Sequence, residues 1–250
     1  LIATARLLAH DQEVLLRGSA DVMRILAGVP EVANLSAACP AAMRLLPAQN
    51  RAYTNFAVVD LNGRTLCSGL PVSEDLDVSR TEWFQRVIAE ERFIIGRSQI
   101  GPATNESILA AAAPFYQDGE LRGAIVTGIR VSVIQQLGIE EDDDSGRIAG
   151  IVDSAGTVIT ERRELSVSSI SAERLADASD GEIHVFEREN AILGDRILAL
   201  APLINNDVYV LLSAPRPNVL SWRSVDVSGT ILLPLLMWAI ALIAVWIATD

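Results

Sequence analysis

Residues able to do covalent chemistry are sparse in this chain. Its two histidines are His10, among polar neighbours in the first helical stretch, and His184, in a strand-like stretch far downstream. Neither falls in a Ser-His-Asp order, and there is no HExxH pair, no CxxC and no phosphate-binding loop. Carboxylates are plentiful, 32 against 20 lysines and arginines, yet no pair stands out as an acid–base couple. Catalysis within this chain is therefore not expected, and neither is a cofactor or a metal. The net charge of −12 argues against nucleic acid, since nothing here would neutralise phosphates.

Cys39 and Cys67 have no partner at metal-site spacing. In an oxidising compartment they are disulfide candidates; the other reading is two independent buried thiols. A bridge closing a loop of this size contributes roughly 3 kcal/mol in the chain-entropy model. The run Glu140-Glu141-Asp142-Asp143-Asp144-Ser145-Gly146 offers the clustered oxygens that calcium needs. It lacks the alternating spacing of a calcium loop and reads as a solvated linker.

The residues that must carry any site are organised around one apolar stretch. Ile231 to Ala248 (ILLPLLMWAIALIAVWIA) holds no charge and is long enough to cross a bilayer as a helix. The acidic part before it is expected outside the cytoplasm. The chain opens at Leu1 inside a helical pattern with no signal-peptide core, which suggests an earlier membrane helix ahead of it.

Upstream, Leu1, Ala5, Leu8, Leu15, Val22, Met23 and Leu26 recur at helical spacing, so residues 1–28 read as one helix stopped by Gly28 and Pro30. A short helix follows Pro40. The period then changes. Tyr53–Asp60 and Arg64–Ser68 read as strands around Asn62-Gly63, a hairpin turn. A helix is expected from about Ser79 to Glu90, then strands at Phe93–Ile100, Ile108–Tyr116 and Leu121–Val131. Arg147–Asp153, Thr157–Thr160, a short helix at Ser171–Ser179, and strands at Glu182–Arg188, Arg196–Pro202 and Val208–Ser213 repeat the theme. The fold class is α+β, with two antiparallel-sheet modules behind one long helix. The divisions are residues 1–30, 31–139, 140–215 and 216–250.

Four stretches carry a resemblance: YTNFAVVDLNGRTLCSG, VSRTEWFQRV, FIIGRSQIGPATNE and ILAAAAPFYQDGELRGAIVTGI, spanning residues 53–129. They contain a strand–turn–strand with Asp-x-x-Gly, an aromatic helix start, a Gly-x-x-x-x-Gly strand, and an apolar strand ending in Pro before a tight turn. In this the chain resembles double-Cache extracytoplasmic sensor domains, whose modules are PAS-like, over about residues 1–215. The membrane segment resembles the second membrane helix of alphaproteobacterial HWE-type sensor histidine kinases.

The helix of residues 1–28 is expected to pair with its copy in a dimer, and the resemblance implies a stalk helix, a membrane-distal module with a small-molecule pocket and a membrane-proximal module that usually binds nothing. It implies placement in the inner membrane, with residues 1 to about 226 in the periplasm. The output would be a histidine kinase, or else a diguanylate cyclase or chemoreceptor. A protein-binding module with no small ligand is a further alternative. The implied pocket residues are Arg80, Trp83, Phe84, Arg97, Gln99 and Thr127. The family's amino-acid-binding subset has an Arg two residues before its first aromatic, where this chain has Thr81. Its acid on the last strand is here Gly128, and its Tyr and Asp on the preceding strand are Gln99 and Gly101. An unknown small molecule, uncharged or anionic and not a free α-amino acid, is the expected ligand.

Overall fold

The computed structural model describes residues 1–136, 146–159, 169–178, 181–188, 195–216 and 236–238. Through Pro215 these form one compact unit. Its elements run α1 (Ile2–Ala27), α2 (Pro30–Ala33), α3 (Cys39–Gln49), β1 (Tyr53–Asp60), β2 (Thr65–Ser68), α4 (Glu82–Glu90), β3 (Ile94–Ile100), β4 (Ser107–Gln117), β5 (Glu120–Arg130) and α5 (Val131–Gln136). After them come β6 (Ile148–Asp153), β7 (Val158–Ile159), α6 (Ala172–Asp177), β8 (His184–Arg188), β9 (Arg196–Pro202) and β10 (Val208–Pro215). The α+β expectation, with one long helix and two antiparallel sheets, agrees with this order.

Both sheets have five strands and the same weave. The first is ordered β2-β1-β5-β4-β3 and the second β7-β6-β10-β9-β8. Each begins with a hairpin, crosses by a helix, and returns as a three-strand meander that sets its last strand beside its first. Tight turns enforce the reversals: Asp118 and Gly119 take positive φ between β4 and β5, the conformation that such hairpins require.

Helix α1 runs along both sheets. Its buried stripe is Ala5, Leu8, Gln12, Leu16, Ser19, Met23 and Leu26, spaced by three- and four-residue steps. Leu15 and Val22, expected on the stripe, flank it and are partly buried. Two polar residues take the centre instead. Ser19 fits because its hydroxyl donates to Leu15 O at 3.0 Å and accepts from the Tyr53 hydroxyl at 3.2 Å. One apolar cluster extends from α1 through Phe56, Leu109, Phe115 and Ile125 of the first sheet to Ala199, Val210 and Leu212 of the second. The two sheets thus share a core.

Along β4 the strand period divides the residues. Leu109, Ala111 and Phe115 join the α1 side, while Ala110 and Ala112 join the opposite face, where Trp83, Phe84 and Val87 of α4 pack. Cys39 and Cys67 form a disulfide, tying α3 to β2 and deciding between the two readings of these thiols.

Helix α4 starts later than expected, at Glu82. Ser79 N donates to the Asp77 carboxylate at 2.8 Å, and both Thr81 N and Thr81 Oγ1 donate to Val78 O. These local bonds hold residues 77–81 in turns that compete with helix.

The acidic run lies outside the described residues apart from Gly146. So does most of the stretch expected to cross a membrane. Of Ile231–Ala248, Leu236–Trp238 are described, and they are helical and exposed. Among the described residues no helix is long and apolar enough to span a bilayer.

Candidate functional site

A cavity of about 260 Å³ opens on the face of the first sheet that turns away from α1. Its floor is Ala57 and Val59 of β1, Ile108 and Ala110 of β4, and Val126 and Gly128 of β5. Trp83, from the first turn of α4, forms one wall. The β3–β4 turn, Gly101-Pro102-Ala103-Thr104, forms a second. Gly101 N donates to Glu106 O and Asn105 N donates back to Gly101 O, each at 2.8 Å, which folds that turn over the cavity.

The cover is the segment after β2, which contributes Val72, Leu76, Asp77 and Val78. Asn55 anchors its base. Leu70 N donates to Asn55 Oδ1 at 2.9 Å, Asn55 Nδ2 donates to Ser68 Oγ at 2.9 Å, and Ser68 Oγ donates to Leu70 O at 2.7 Å. All of the Asn55 amide's described bonds therefore serve the backbone of the cover.

Close backbone approaches shape the interior. A Cβ on Gly96 would lie 2.7 Å from Trp83 Cβ, so β3 offers a bare patch on which the indole seats. A Cβ on Gly128 would lie 2.5 Å from Thr54 Oγ1 and 2.7 Å from Ile108 Cδ1. Thr54 and Ile108 occupy the space that an acid at 128 would need.

Polarity is scarce and mostly committed. Thr54 Oγ1 donates to Gly128 O at 3.2 Å, and Thr127 Oγ1 donates to Asn55 O at 2.8 Å. Two buried polar atoms are not. Trp83 Nε1 and Thr104 Oγ1 have neither solvent nor a hydrogen-bond partner, and Trp83 as a whole is only 6% exposed. A buried donor in that condition costs about 1–3 kcal/mol. Among the described lining residues there is no lysine or arginine. The single charge is Asp77 at the rim; donation from the Ser79 hydroxyl and amide holds its carboxyl below the ordinary 3.8, with Arg64 and Arg80 adding to the effect.

The implied pocket residues divide evenly. Trp83, Gln99 and Thr127 line the cavity. Arg80, Phe84 and Arg97 do not. Arg80 is exposed in the turn before α4. Phe84 packs edge-on against Trp83, with ring centroids 6.0 Å apart, inside the apolar cluster behind it. Arg97 is 56% exposed and pairs with Glu82 at 2.7 Å. Reading the sequence missed Thr54, Asn55, Leu76 and Thr104. The Gly-Pro-Ala-Thr-Asn turn between two strands carried a signal for Thr104. Nothing comparable marked the cover.

One side of the site is fastened to the second module. Asp207, in the turn between β9 and β10, is 1% exposed. It accepts Arg86 Nη2 of α4 at 2.5 Å, Ile95 N of β3 at 3.0 Å and Arg92 Nη1 at 3.5 Å. Asp153, the last residue of β6 and equally buried, accepts Ser98 N of β3 at 3.4 Å. The Arg86 guanidinium stays above its ordinary value, because the bonds to Asp207 and Glu90 outweigh the opposing effect of burial.

The family model for the Cache domain, of the double-Cache type, matches residues 2–222. Solved chemoreceptor ligand-binding domains share the fold. That of PctB from Pseudomonas aeruginosa PAO1, in complex with L-Gln, is 17% identical with a TM-score of 0.66, covering 94% of this chain and 97% of its own. That of CtaA from Pseudomonas fluorescens, with L-alanine, is 14% identical at 0.66, covering 87% and 96%. That of Tlp3 from Campylobacter jejuni, with 4-methylisoleucine, is 15% identical at 0.57, covering 84% and 88%. No curated protein matches. With the family model spanning most of its length, this chain belongs to the Cache domain family of sensors.

Proposed function

We propose that the cavity over the first sheet is a ligand site for an uncharged small molecule, and that this chain is the extracytoplasmic input of a membrane-bound receptor. The observation that carries the ligand class is the wall itself. Thr81, Gln99, Gly101 and Gly128 all border the cavity, and none offers the charge with which a free α-amino acid would be held. The anionic alternative rested on Arg80 and Arg97, and both guanidinium groups lie outside the lining. What remains is a largely apolar chamber with Gln99 among its lining residues and the Asp77 carboxylate at its rim. That suits a compact apolar molecule bearing a hydrogen-bond acceptor.

For the output we favour a histidine kinase, on the resemblance of the Ile231–Ala248 segment to the membrane helices of such enzymes. A chemoreceptor output is the second reading, supported by the three solved domains of like fold described above, each from a chemoreceptor. In either case the chain acts as a dimer in the inner membrane, with its first 226 or so residues in the periplasm.

A thermal-shift panel of neutral, anionic, cationic and amino-acid compounds tests the ligand class. A compound at 100 times its dissociation constant adds about 2.7 kcal/mol. A rise with neutral acceptor-bearing compounds is expected, lost in Trp83→Ala and retained in Arg80→Ala. A rise confined to amino acids or carboxylates overturns the reading.

A further inference from the structure

The two modules are joined by polar bonds at one place that matters for the cavity. β3 is the edge strand of the first sheet, so its outward amides have no strand to pair with. Two of them, Ile95 N and Ser98 N, donate to carboxylates of the second module, Asp207 and Asp153. An exposed edge is normally blunted by charge or covered by a loop. Here both devices coincide, and both carboxylates are nearly dry.

The same Asp207 also takes the guanidinium of Arg86 from α4. α4 carries Trp83 on its first turn, and β3 runs on into Gln99 and the Gly101–Thr104 turn. Two elements that supply walls of the cavity are thus held by one buried side chain. That side chain directly precedes β10 (Val208–Pro215), the last strand of the unit.

We propose that Asp207, with Asp153 in support, is a positioning residue for the ligand cavity. It sets the spacing of α4 and β3 from the second module, and it obliges the β9–β10 turn to follow whatever these walls do. A dry carboxylate leaves its donors only at high cost, because water does not replace them. A shift of the walls on filling or emptying the cavity therefore carries into β10 instead of being absorbed at the junction. The second module then contributes to ligand affinity without touching the ligand, and by reciprocity its arrangement depends on occupancy.

Hydrogen exchange read by mass spectrometry, on the full chain in detergent micelles, tests this without any ligand. In Asp207→Asn, amides of residues 96–104 should exchange about tenfold faster, the size expected when a charge-assisted bond is weakened. None of those residues touches Asp207 in a described contact, so a merely local role leaves them unchanged. The reverse arm uses Trp83→Phe, which alters the cavity wall alone. It should measurably change exchange at residues 203–210 in the second module. Unchanged protection at 96–104 in the first variant, or at 203–210 in the second, overturns the proposal. Should Asp207→Asn fail to fold, Arg86→Lys replaces it, keeping the charge while removing the fork, with the same two outcomes. Because no ligand enters, a failure here is separate from a failure of the proposed ligand class.

Discussion

Asp60 and Asp153 close the same turn in the two modules. Asp60 Oδ1 accepts Asn62 N and Arg64 N, each at 2.9 Å. Asp153 Oδ1 accepts Ala155 N at 3.0 Å and Thr157 N at 2.9 Å. Three residues on, Gly63 and Gly156 take positive φ, and each carbonyl receives an amide from the returning chain, Val78 N in one case and Ile170 N in the other. The second oxygen differs. That of Asp60 has no described hydrogen-bond partner, whereas that of Asp153 reaches Ser98 N across the junction. The same local motif therefore does two jobs: one copy only forms a turn, and the other also fastens the modules together.

The helices over the two sheets differ as well. α4 is nine residues long and stands beside a cavity. Its counterpart α6 is six residues long, and Leu175 packs with Phe186, Leu198, Leu200, Tyr209 and Leu211 in a cluster of its own. Tyr209 reflects that dryness, since burial pushes its hydroxyl above the ordinary 10.0, with help from Asp207. The same weave thus carries a cavity beside the longer helix in one module and, among the described residues of the other, a packed apolar cluster under the shorter one.

Truncation should reveal this contrast most strongly. Leu211→Ala, in the filled cluster, should cost about 3 kcal/mol in chemical denaturation, and Ile108→Ala, which borders existing space, nearer 1–2 kcal/mol. Equal losses would mean that the first module is as tightly packed as the second.

The paired aspartates give a smaller difference. Asp153→Ala should destabilise by about 2–3 kcal/mol, because it removes turn bonds and a bond across the junction. Asp60→Ala should cost about 1 kcal/mol. Matching values would remove the fastening role from Asp153.

The smallest effect is acid sensitivity at the junction. Hydrogen bonding from Arg86, with charge from Arg86 and Arg92, holds Glu90 below its ordinary 4.5. A carboxyl whose folded value is depressed stabilises the fold above its unfolded value, and loses that contribution as pH falls through the folded one. The gap between wild type and Glu90→Gln in urea midpoints should therefore be widest above pH 4.5 and close below it. Partial exposure keeps it within about 1 kcal/mol. A gap that widens on acidification would show that Glu90 is not stabilised as an anion.

Much of this architecture was legible in the residues. Asn62-Gly63 announced the first hairpin, and the change of period at Tyr53 separated helix from sheet. The repeat of hairpin, helix and meander gave two similar modules before any coordinates. The site was less legible, for a physical reason. β3 is bulged between Ile95 and Ser98, which breaks strict alternation. Gly96 meets Trp83, Gln99 lines the cavity, and Arg97 between them turns out to Glu82. Spacing along a strand predicts a shared face only while the pleat is regular. The cover from Leu70 to Val78 has no periodicity to read, since its course is set by Asn55, which lies earlier in the chain on another strand.

The Cys39–Cys67 bridge encloses most of α3, all of β1 and the turn that follows it. A backbone cut anywhere inside that span, at the exposed Leu61 for instance, leaves both pieces on one covalent molecule. The nick would be silent on a non-reducing gel and would show only once a thiol is added. A protease working at that turn could thus open the hairpin beside the ligand cavity without releasing a fragment.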